Sequence, residues 1–205
     1  MKFTANYHPH SAVFAQMSKD GLQEFHEGFL SNVPYCLDEL FRRVWQSPEF
    51  LRWQADFSAA SLTGLVRWLR TALRIVDRAG CEGPLPLAGQ QLESSSGVDF
   101  TDESRQLIVA AGMYYGEVMV RQSAGVRWEQ SLRSRKDADF GQAVISGDVV
   151  RPINPVRVLT SVAFGLMNGT ESDDGLRCAF SFWQENIAGS REAIAKGTKD
   201  GDECQ

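Results

Sequence analysis

"GMYYGEVMVRQSAGVRWEQ", residues 112–130, changes its hydrophobic period in the middle. Up to Arg121 the apolar residues follow a helical spacing, continuing Leu107, Ala111, Tyr114 and Val118. From Val126 they alternate, as in a half-buried strand, with Trp128 next on the same side. Gly125 marks the change. A helix that runs directly into a strand predicts an α+β fold.

Upstream, "FTD" opens the same helix. Thr101 is placed to cap its free amides, and Asp102 and Glu103 sit at the positive end of its dipole. Downstream, "DFGQAVISG" and "DVVRPI" read as two further strands joined through "SGD", giving with "VRWEQSL" a three-stranded antiparallel sheet. "PVRVLTSVAFGLMNG" and "DGLRCAFSFWQENIAGSREAIA" read as helices, with Asp174 at the start of the second. Toward the N-terminus, residues 21–46 read as helix, break, helix, with Pro34 in a first turn, and a short helix is expected over 48–55. "SLTGLVRWLRTALRIVDRAG" carries a long helical stripe (Leu62, Leu65, Val66, Leu69, Leu73, Val76) ended by Gly80. The Gly-, Pro- and Ser-rich stretch that follows is a hinge or long loop over 80–98. The expected architecture is one mostly helical α+β domain over residues 1–195 with a small antiparallel sheet and a disordered tail over 196–205.

The 205 residues suit one domain; 43% are apolar and 23% charged, ordinary for a soluble globular protein. A net charge of −5 disfavours nucleic acid and suits a basic protein partner. No apolar run reaches signal-peptide or membrane-spanning length, so a cytoplasmic protein that does not enter a membrane is expected. Cys36, Cys81, Cys178 and Cys204 are scattered, with no C-x-x-C. His8 and His10 are two apart, which is short of a ligand set, and His26 is the third histidine. No Walker, Rossmann, G-x-S-x-G or H-E-x-x-H pattern occurs. Neither a metal nor a cofactor is expected.

Two groups of residues are the site candidates. Gly112 and Gly116 share a helix face, which suits a close approach by a helix or strand, or self-association. Beside them Tyr114, Tyr115, Glu117, Arg121 and Trp128 form either a polar lock between helix and strand or a pocket in which Glu117 is a general base with a raised pKa. The second group is the stripe Arg67, Arg70, Arg74 and Arg78, with Trp68 expected at the edge of a protein-contact surface.

"FSAASLTGLVRWL", "AAGMYYGEVMVRQSAGVRW" and "NPVRVLTSVAFGLMNG" with the aromatic-rich helix after it together resemble small bacterial α+β proteins of unassigned function. Several of these look like immunity or accessory proteins of interbacterial toxin systems. The resemblance spans residues 58–187 and contains no catalytic motif. It implies a non-catalytic protein that binds another protein, with toxin neutralisation as the role; the alternative is an enzyme using the Glu117 pocket.

Overall fold

Residues 102–122 form the axis of the molecule, in a computed structural model that describes residues 14–77, 79–85, 97–147 and 151–185. Helix α1 spans Lys19–Trp45, α2 Ala59–Ala72, α3 Asp102–Gln122, α4 Pro155–Met167, and α5 residues 175–185. The strands are β1 (Arg74–Asp77), β2 (Glu82–Pro84), β3 (Val98–Phe100), β4 (Val126–Gln130) and β5 (Ala143–Gly147).

The fold is α+β and mostly helical, and α3 lies at its centre. Every residue from Leu107 to Gly116 is buried. A helix apolar on all sides is one that neighbours surround; α1, α2, α4 and the β4–β5 pair supply those neighbours. Thr101 caps it, accepting from the Ser104 amide at 3.2 Å. One continuous apolar core reaches from Phe29 on α1 to Trp183 on α5.

The two glycines of α3 mark the close approaches. A Cβ on Gly112 would lie 2.7 Å from the Val156 Cα, so α4 crosses backbone to backbone there. A Cβ on Gly116 would lie 2.1 Å from the Trp128 ring, so β4 delivers its indole there. Both positions are therefore covered from within the chain, which removes the Gly112/Gly116 face as a self-association surface.

Four expectations are corrected. First, α1 is continuous, with Pro34 inside it. An interior proline costs a helix roughly 3 kcal/mol. The buried row Phe29, Val33, Leu37, Leu40 and Val44 holds the helix together across it. Second, Pro48–Phe50 is a single 3-10 turn rather than a helix over 48–55. The Ser47 side chain makes no cap; its Oγ accepts from Trp68 Nε1 at 3.1 Å.

Third, α2 stops at Ala72 and "RIVD" is strand β1. Ile75 and Val76 are β-branched and suit a strand. The decisive contact is long-range: the Arg74 amide donates to Ser104 Oγ at 2.7 Å instead of continuing the helix. Gly80, at φ +81°, serves the β1–β2 turn, where the Asp77 carboxylate accepts from the Ala79 and Cys81 amides.

Fourth, the three-stranded antiparallel sheet is not the one expected. Its order is β2-β1-β3, with Ile75 opposite Gly83 on one side and Phe100 on the other. It is built partly from the stretch read as a hinge. The β4–β5 pair is a separate two-stranded sheet with Trp128 opposite Ile145, extended among the described residues by the bridge Ile145–Ile153. Residues 148–150 of the expected third strand lie outside the described residues, as do His8, His10, Arg78, Cys204 and the tail over 196–205.

Candidate functional site

Glu117 stands where α3 meets β4. The Trp128 indole, seated on Gly116, donates from Nε1 to Glu117 Oε1 at 3.0 Å. One turn on, Arg121 Nε donates to Glu117 Oε2 at 3.3 Å. Phe29 of α1 meets the same indole edge to face at 5.1 Å. Both carboxylate oxygens thus hold scaffold groups in place, joining α3, β4 and α1.

Tyr114 belongs to a different cluster. Its hydroxyl lies 2.7 Å from Ser61 Oγ and accepts from the Phe57 amide at 3.2 Å. Phe57 has φ +57°, a left-handed conformation that strains a residue with a side chain. Its ring stacks on Tyr114 at 5.0 Å. The Arg121 guanidinium lies 3.7 Å from the same ring's centroid, and Gln122 Nε2 donates to the Phe57 carbonyl at 3.0 Å. Such strain, of order 1–3 kcal/mol, persists only where neighbours over-determine it.

Trp53 completes this aromatic group. Its ring fills the space over Gly64, where a Cβ would come within 2.3 Å of it, and its Nε1 donates to the Ser61 carbonyl at 2.9 Å. Phe41 stands edge-on to Tyr114 at 5.8 Å. Sequence reasoning missed Phe41, Trp53 and Phe57. The one available signal was Gly64 in the middle of a helix, which marks a close approach as Gly112 does.

Tyr115 points elsewhere, against Phe180 of α5 at 6.5 Å. Burial raises the pKa of both tyrosines, that of Tyr115 more strongly. Glu117, Arg121 and Trp128 are therefore one group, Tyr114 stands in the adjoining cluster that Arg121 reaches through the Phe57 ring, and Tyr115 is part of neither.

The arginine stripe is divided. Arg67 Nε donates to Asp173 Oδ2 at 3.0 Å, and Arg70 Nη2 to Asp173 Oδ1 at 3.3 Å and to the Glu171 carbonyl at 2.9 Å. Thr63 Oγ1 donates to Asp174 Oδ1 at 2.7 Å, which Arg177 also approaches; together they lower the Asp174 pKa. These residues fasten the turn before α5 onto α2. Arg74 has left the helix and donates to the Thr71 and Leu73 carbonyls. Trp68 is 2% exposed, so the expected surface edge is instead a core position beneath the turn at Ser47.

Cys36 is buried, which pushes its thiol to about 11, whereas Cys81 and Cys178 are exposed free thiols. His26 Nδ1 is buried with no hydrogen-bond partner. Among the described residues no three His, Cys, Asp or Glu side chains gather as a metal site, and no helix is long and apolar enough to cross a membrane. The chain matches no protein-family model, no curated protein and no solved structure.

Proposed function

We propose that this protein is a non-catalytic protein-binding protein whose partner is basic, with neutralisation of a toxin as the role that the resemblance of residues 58–187 suggests. The observation that carries the reading is the contrast between the central helix and the surface. The carboxylate of Glu117 and the hydroxyl of Tyr114, which sequence reasoning offered for chemistry, are tied to scaffold partners: Glu117 to Trp128 and Arg121, and Tyr114 to Ser61 and Phe57. Large apolar side chains meanwhile stand in solvent, among them Tyr35, Leu51 and Phe182. Exposed aromatic residues among charged ones are the composition of protein-contact surfaces.

The test is a pull-down with the products of the adjacent genes, washed at moderate salt. One retained partner supports the reading; none contradicts it. Glu117→Gln separates the alternative enzymatic reading. A binder loses only stability on that change, whereas an enzyme that uses Glu117 as its base loses its function while still folded.

A further inference from the structure

We infer that the solvent face of α1 is the docking surface, and that it receives a cationic segment of the partner; this rests on the protein-binding reading above. Helix α1 has 27 residues, about 40 Å at 1.5 Å per residue. At 100° per residue, Asp20, Glu27, Asp38 and Trp45 fall on one narrow strip, with Glu24 and Tyr35 beside it. All six are exposed; Tyr35 is 73% and Trp45 47% accessible. The strip therefore runs the length of the helix, with carboxylates toward both ends and two aromatic side chains among them.

Two physical features select the occupant. Asp20, Glu24 and Glu27 follow at spacings of four and three, so their carboxylates face solvent beside one another, and a partner's Lys or Arg side chains would relieve that repulsion. The one arginine on this face, Arg42, already donates to Glu39 at 2.7 Å. Tyr35 and Trp45 offer aromatic faces on which a guanidinium stacks. A second copy of the chain would bring an identical acidic strip, and nucleic acid would bring phosphates; both are repelled.

The experiment titrates each adjacent-gene product, purified, into wild type, into the charge reversal Glu24→Lys/Glu27→Lys/Asp38→Lys, and into Tyr35→Ala, by calorimetry at two salt concentrations. These side chains lie in solvent, so thermal melting of each variant first confirms that it folds as wild type does. The expected result is a basic partner that binds wild type more weakly as salt rises. The charge reversal should then bind at least about a hundredfold more weakly, and Tyr35→Ala about tenfold. A partner that binds the folded charge-reversed variant as tightly as wild type, or an acidic partner, overturns this inference and leaves the protein-binding reading standing. If no adjacent-gene product binds wild type, the protein-binding reading fails and the inference fails with it.

Discussion

Trp128 lies where a side chain on Gly116 would have to be: a Cβ there would come 2.1 Å from its ring. The indole cannot be displaced cheaply, because its Nε1 is bonded to Glu117 and its face is met by Phe29. Gly116→Ala should therefore destabilise by about 2–4 kcal/mol, through overpacking and loss of the half-buried Trp128–Glu117 hydrogen bond. Gly28, also in a helix, has open space at its Cβ position. Gly28→Ala should stabilise by roughly 0.5–1 kcal/mol. Urea unfolding of the two variants checks this, and equal effects would contradict it.

Phe57 provides a second test, of strain rather than space. Phe57→Ala should cost about 2–4 kcal/mol, since the ring stacks on Tyr114 and carries Arg121. Glycine is normally the worse replacement, but here φ is +57°. Phe57→Gly should therefore be at least as stable as Phe57→Ala, with the difference up to about 1 kcal/mol in its favour. A glycine variant clearly less stable than the alanine variant would show that the strain is absent in solution.

The caps and the close-approach glycines were legible in the sequence because they are local devices. Thr101 bonds three residues away, and Gly112 and Gly116 announce a tight contact by the absence of a side chain. What could not be read depends on distant partners. The stripe through Leu69, Leu73 and Val76 continues a helical pattern, and only Ser104, thirty residues on, turns Arg74 into a strand. Trp68 looked like an edge residue because the turn that covers it, at Ser47, is set by tertiary contacts. In the site, the Glu117–Arg121 pair followed from helix spacing and Trp128 from its place on the next strand. The left-handed Phe57 could not be foreseen, since Tyr114, Arg121 and Gln122 of α3 hold it in the loop before α2.

His26 should make stability fall in mild acid. Its Nδ1 is buried without a partner, and burial lowers its pKa below 6.5, with Glu27 opposing. The folded state is thus the poorer proton acceptor. Above pH 6.5 both states are neutral and the group contributes no slope; as pH falls below that, the unfolded chain takes the proton first and stability is lost. His26→Gln should flatten the dependence of the urea midpoint on pH between about 7 and 5. Parallel curves for variant and wild type would contradict it.

Pro34→Ala should restore the amide that the Leu30 carbonyl lacks and stabilise α1. A gain of about 1–2 kcal/mol is expected, less than the full interior-proline penalty because alanine also frees the unfolded chain. Thermal melting measures it, and a loss of stability would mean that the helix bends at Pro34 to make a contact that alanine forbids.

The most direct measurement is affinity capture from source-cell extract at moderate salt, with the captured proteins identified and quantified by mass spectrometry. The account predicts one stoichiometric, basic protein, captured equally by Glu117→Gln and lost by the α1 charge reversal. No stoichiometric partner, with the folded chain running as a monomer, would contradict it.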